Sequence, residues 1–258
     1  MCDCVFAPRY QHNPWRAPGS APIYDACGMA GGSPSWTETQ LSFVNTTNAK
    51  QGDLGSKVLP RAPTGVVWTA GSEVEAKWSL RANHGGGVSC ACSFCLQYSA
   101  ITIPFRMQYA YRLCPLGADL NEQCFRDHHL EFAGKTFLEF GNGTRIPIQG
   151  RFLSNGTTPV SSQWAMNPLP FAWAGHSPPE FEPPCVGAYD PKNNTEWGLC
   201  AGRFPIDVTI VDVLRLPADL AAGEYVLGFR YDCEATAQVW ASCADIEVAA
   251  AVVTARGL

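Results

Sequence analysis

Between Val74 and His84 the chain alternates by strict parity. Val74, Ala76, Trp78, Leu80, Ala82 and His84 fall on one side, and Glu75, Lys77, Ser79, Arg81 and Asn83 on the other. A two-residue period puts one set against a core and the other in water, so this stretch predicts a half-buried strand. It stops at a triple glycine, Gly85 to Gly87. A second strand is predicted at "YAYRLCP", 109–115. Residues 1 to about 65 read as loop, with turn chemistry in "HNPWRAPGSAP", "GGSPSW" and "PRAPTG". From 117 to 203 the pattern is irregular, with short strands at "TFLEF" and "IPIQGRF". The last third is more ordered. "FPIDVTIVDVLRLP" and "GEYVLGFRYDC" are strands joined by "ADLAAG", and "AQVWASCADIEVAAAVV" is a third. Three consecutive strands in a chain with 24 glycines and 20 prolines predict an all-β, antiparallel β-sandwich with long loops.

Composition narrows the function classes. The 258 residues suffice for a sizeable core in one domain, or at most two. Net charge is −5, only 16% of residues are charged and there is no long basic run, which argues against a nucleic-acid surface. No stretch approaches the ~18 apolar residues of a membrane span. Twelve cysteines without a paired CxxC pattern point to an oxidising compartment. Four glycosylation sequons, at Asn45, Asn142, Asn155 and Asn193, agree with a secreted glycoprotein. The first residues, "MCDCVFAPRYQHNPW", contain no apolar signal-peptide core. The expectation is that residues 1–11 are not part of the fold and that the native N-terminus differs from this one.

Cysteine spacing suggests three local pairs, Cys114 with Cys124, Cys185 with Cys200 and Cys233 with Cys243, although spacing cannot settle connectivity. Cys27 would then need another partner, one upstream of Met1 being the expectation.

The segments "HNPWRAPGSAPIYDACGMAGG", "RANHGGG…YRLCP" and "GEYVLGFRYDCEATAQVWASCADIEV" resemble a lytic polysaccharide monooxygenase-like protein of the chitin-binding type-4 kind found in algae and other protists. The resemblance covers roughly 12 to 250, and a single domain at 12–254 is expected. It implies an immunoglobulin-like sandwich whose mature N-terminal histidine grips copper through its amine and ring, while a second histidine completes three nitrogens. Such donors suit copper in a tetragonal arrangement. Carried over residue by residue, His84 matches the second copper histidine. Trp240 falls at the axial position, where relatives carry Tyr or Phe. Gln238 matches a polar residue that positions the oxygen species. The first histidine has no counterpart, since His12 precedes "NPWRAPG", a segment that lies inside the domain in relatives. The implied partner is a chitin- or cellulose-like surface, met by a monomer, and the implied activity is copper-dependent oxidative cleavage, impaired in this chain. The alternative is a non-catalytic, extracellular carbohydrate-binding or copper-binding module.

Other chemistry is weaker. His128 and His129 are adjacent and would point to opposite faces of a strand, and His176 reads as a surface histidine. Trp15, Trp36, Trp164, Trp173 and Trp197 could stack on sugars if exposed, but loop tryptophans commonly pack under loops. Asp232, Glu234 and Asp245 suggest a glycosidase pair only if close together, and solvated strand ends are the simpler reading. No GxSxG, P-loop or HExxH pattern occurs.

Between "ANHGGG" and "YAYRLCP" stands Val88–Gln108, "VSCACSFCLQYSAITIPFRMQ", which the resemblance does not include. It spans whole codons. Val-Ser at its start and Gln at its end can be encoded by intron-boundary sequences, so the expectation is a retained intron. The rival is a real insertion in which Cys90, Cys92 and Cys95 form disulfides or, with His84, a zinc site.

Overall fold

The computed structural model describes residues 17–31, 45–79, 108–168, 208–232 and 239–251. Two sheets pack face to face. The six-stranded sheet runs β1 (Pro63–Thr69), β10 (Val239–Ala249), β9 (Gly223–Asp232), β3 (Gln108–Pro115), β7 (Trp164–Met166) and β6 (Phe152–Leu153). The four-stranded sheet runs β2 (Glu73–Trp78), β8 (Val208–Arg215), β4 (Glu131–Phe140) and β5 (Arg145–Ile148). The predicted β-sandwich is therefore present. No described helix is long and apolar enough to cross a membrane.

The alternation that predicts β2 holds within its bounds, with Ala76 and Trp78 buried and Glu75 and Lys77 exposed. Leu80, Ala82 and His84, the rest of that predicted strand, lie outside the described residues. The three C-terminal strands exist where expected but do not form one meander. β8 pairs with β2 and β4, while β9 pairs antiparallel with β10 and β3. Nor is the pairing wholly antiparallel, because β1 runs parallel to β10. A tight turn containing Gly71, at φ +75°, sends the chain from β1 directly into the opposite sheet. With β2 placed there, β1 is not bound to a hairpin partner and lies along the β10 edge.

The inner faces meet in an aromatic core that includes Trp78, Tyr109, Tyr111, Phe132 and Tyr231. One carboxylate sits within it. Asp212 of β8 is fully buried and accepts hydrogen bonds from the hydroxyls of Tyr109 (3.2 Å), Tyr111 (3.0 Å) and Thr136 (2.9 Å). Two of these donors come from the opposite sheet, so the acid bridges the sandwich. Burial raises its pKa to about 6, although these hydrogen bonds pull the other way.

The six-stranded sheet is covered on its outer face too, which is why β3 is buried along nearly its whole length. The cover consists of the short helix α2 (Glu122–Asp127), which follows α1 (Gly55–Val58) in the chain, and the irregular strap 17–31. Asn121 caps α2 by accepting from the Cys124 backbone N–H. Phe125 of α2 presses onto Gly228, where a β-carbon would lie 2.7 Å from its ring. A small second core of Ala26, Cys114, Phe125 and Val226 results.

Two disulfides secure this outer layer. Cys114–Cys124 ties β3 to α2 as the spacing predicts. The second joins Cys27 of the strap to Cys243 of β10, which corrects both the local Cys233–Cys243 pairing and the upstream partner for Cys27. The strap lies on β10 closely enough that Gly28 abuts the Ala241 carbonyl, so proximity in space, not in sequence, selects the partner. Both bonds are compatible with an extracellular protein. Cys185, Cys200 and Cys233 lie outside the described residues.

Candidate functional site

Four strand ends meet at one end of the sandwich. The register sets Gln108, which opens β3, against Asp232, which closes β9, and Asp232 against Val239, which opens β10. Trp78, the last residue of β2, packs its ring 4.6 Å from Tyr109 and 5.5 Å from Tyr231, centroid to centroid. Tyr231 is the cross-strand partner of Trp240. Trp240 is 53% exposed, a large indole with an open flank on the rim of a rigid aromatic core. Such a side chain offers a flat apolar face with a polar N–H beside it, and that combination suits the face of a sugar ring.

Of the implied copper-site residues, Trp240 alone is described. His84 lies six residues beyond the end of β2 and Gln238 one residue before β10, and both fall outside the described residues. Among the described residues no three His, Cys, Asp or Glu side chains gather as a metal-binding group. The two described histidines do not suit copper. His128 caps α2 with Nδ1 3.0 Å from the Cys124 carbonyl oxygen. His129 packs 5.7 Å from the Trp164 ring, and burial together with nearby Arg112 lowers its pKa to about 4. The charge that disfavours a proton there disfavours a metal cation as well.

Asp232 and Asp245 do not form a glycosidase pair, and Glu234 lies outside the described residues. Asp232 is buried, not solvated. It holds Arg230 at 2.7 Å and accepts from the Gly19 backbone N–H at 2.8 Å. Asp245 accepts from the Ala62 backbone N–H. Their ladder partners, Val239 and Val226, place them six residues apart along the β9–β10 pair, roughly 20 Å at ~3.3 Å per residue and far beyond the ~5–10 Å that glycoside hydrolysis requires. Trp164 is buried. The sequon asparagines Asn45, Asn142 and Asn155 are exposed; Asn193 lies outside the described residues.

Sequence reasoning missed a charged cluster under the strap. Arg112 of β3 and Arg230 of β9 are buried side by side on the outer face, and each donates to Glu122 Oε1 at 2.7 Å. Arg230 also grips Asp232 through two nitrogens and donates to the Ala21 carbonyl at 2.7 Å. Arg126 reaches the Gly19 carbonyl at 3.0 Å. The strap is thereby tied to strand β9 just before the rim that carries Trp240. The available signal was a lone arginine within each of the otherwise apolar runs "YAYRLC" and "VLGFRY".

No known family pattern matches the chain, and no curated protein matches it. Some solved structures align with parts of the chain at low TM-scores. The C-terminal domain of the Streptococcus pyogenes antigen I/II-family protein AspA is 9% identical, with 70% of this chain and 41% of that one aligned at a TM-score of 0.27. AvmM, which catalyses macrocyclization in alchivemycin A biosynthesis, is 8% identical over 74% of this chain and 87% of its own, also at 0.27. A family 123 glycoside hydrolase from Clostridium perfringens is 9% identical over 76% and 24%, at 0.24. The chain spans less than half the length of the AspA domain, and at these scores none of the three carries an argument about function.

Proposed function

We propose that this chain is a secreted, monomeric protein of the lytic polysaccharide monooxygenase-like kind, directed at a chitin- or cellulose-like surface through the sandwich end that bears Trp240. The observation that carries the reading is the meeting of four strand ends beneath an exposed tryptophan. The segments that hold His84 and Gln238 both leave or enter the sheets there. Copper, where bound, would supply oxidative cleavage, with His84 as the ligand this chain contributes. The described residues support the glycan contact and no more of that chemistry.

A second reading, a carbohydrate-binding module without oxidative activity, is favoured by the tryptophan at a position where relatives carry Tyr or Phe. The test is retention of the purified full chain on chitin and cellulose beads, with and without copper and a reductant, followed by analysis of released oligosaccharides. Retention that falls about tenfold or more in Trp240→Ala, roughly 1.4 kcal/mol, supports the glycan-facing rim. Oxidised products that vanish in His84→Ala support the copper reading. Retention without them selects the binding module. No retention on either glycan, with Trp240→Ala indistinguishable from the parent, sinks both.

A further inference from the structure

The cluster beneath the strap is incomplete. Arg112 is 1% exposed, and its Nη1 is bound to Glu122, yet its Nε and Nη2 have no hydrogen-bond partner. These two N–H groups lie parallel on one edge of the planar guanidinium, the fork that ordinarily grips a carboxylate or other anion. An arginine so deeply buried does not leave that edge empty at small cost. Beside it, opposite Arg112 in an isolated bridge, stands His129, whose Nε2 is also buried and unpartnered.

The charges do not balance either. Among the described residues, Arg112, Arg230 and the partly exposed Arg126 face only Glu122 and Asp232, an excess of one positive charge. His129, held to a pKa of about 4 by burial and by Arg112, is neutral near pH 7 and changes nothing in that sum. A water molecule would satisfy the fork's hydrogen bonds but not its charge. With Arg112 only 1% exposed, an occupant of that edge must be small.

We infer that the Nε–Nη2 edge of Arg112 holds a small monovalent anion of the halide class, with chloride the ordinary occupant, sealed between β3, α2 and the strap. A bare fork would leave two charged donors dry. The site is separate from the glycan-facing rim and does not depend on that reading. Its role is to lock the strap-bearing layer, since the same cluster holds Gly19 and Ala21.

The test uses the full chain purified with bromide as the sole halide and crystallised from it. An anomalous bromine peak within hydrogen-bonding reach of Arg112 Nε and Nη2 is the expected result, and it needs no variant. In parallel, thermal unfolding is followed in chloride against gluconate at one ionic strength, so that screening is equal. Chloride should raise Tm by about 2–4 °C per tenfold in concentration above its dissociation constant, and Arg112→Gln should abolish that dependence. Ordinary water density at the fork, or a carboxylate of the chain occupying it, overturns the inference. So does a Tm equal in the two salts.

Discussion

Asp212 shows what a single buried acid does to the whole stability profile. Its folded pKa, about 6, lies above the ordinary value of 3.8, so the native state holds this proton more tightly than the unfolded chain. Its contribution is therefore most favourable below pH ~4 and is lost as pH rises from there through 6. The full swing is about 3 kcal/mol at the usual ~1.4 per pKa unit. His129 acts in the opposite sense, because a lowered histidine pKa favours the fold as pH rises through the same window. The difference between parent and Asp212→Asn isolates the acid. In urea unfolding from pH 4 to 7.5, that variant should lose the downward slope and match or exceed the parent at pH 7. Identical pH profiles would refute the assignment. Asp212→Ala should instead cost about 2–4 kcal/mol, because it strands the hydroxyls of Tyr109, Tyr111 and Thr136. Little of this is legible in sequence. "TIVDVL" displays an acid inside an apolar run, but the tyrosines that justify it lie about a hundred positions away. Trp240 is a similar case. Its strand is readable from alternation, whereas its exposure follows from where the opposite sheet ends.

Elements were legible where their pattern is local. β2, β3, β9 and β10 announce themselves through parity or through unbroken apolar runs, and Cys114–Cys124 through a short spacing. What escaped depends on long-range placement: the parallel β1–β10 pair, the crossing of β8 to the other sheet, and the disulfide from the strap to Cys243. Helix α2 escaped for another reason. It is only Glu122–Asp127 long, so its cap at Asn121 has almost no apolar periodicity to support it. The two disulfides should differ in weight. Cys27–Cys243 closes a loop of 216 residues and Cys114–Cys124 one of 10. By chain entropy these correspond to roughly 5 and roughly 3 kcal/mol respectively. A Cys27→Ser/Cys243→Ser double variant should thus unfold at lower denaturant than Cys114→Ser/Cys124→Ser. The reverse order would mean that the strap is held by the Arg230–Asp232–Glu122 cluster alone. Non-reducing peptide mapping provides the direct check, with the Cys27 and Cys243 peptides recovered as one species.

At the scale of the molecule, the segment before β3 bears on whether the sandwich needs it. Gln108, the last residue of the stretch foreign to the resemblance, is the first residue of β3, is buried, and pairs with both Asp232 and Met166. A deletion that spares β3 therefore ends at Met107. Trp78 and Tyr109 are in ring contact across the core, so the chain that joins β2 to β3 has to cross little more than the ~10 Å between packed sheets. Ser79 to Gly87, at ~3.3 Å per residue when extended, reaches about 30 Å. A variant lacking Val88–Met107 should for that reason still fold, with both disulfides formed and a Tm within a few degrees of the parent. Circular dichroism and peptide mapping read this directly. The variant also joins "NHGGG" straight to "QYAYRLCP", so glycan retention measured beside the parent shows what the extra residues do to the Trp240 rim. Unchanged fold with stronger retention marks them as an obstruction to the site. Loss of the fold would make them a structural part of the sandwich and remove the basis for reading them as a retained intron.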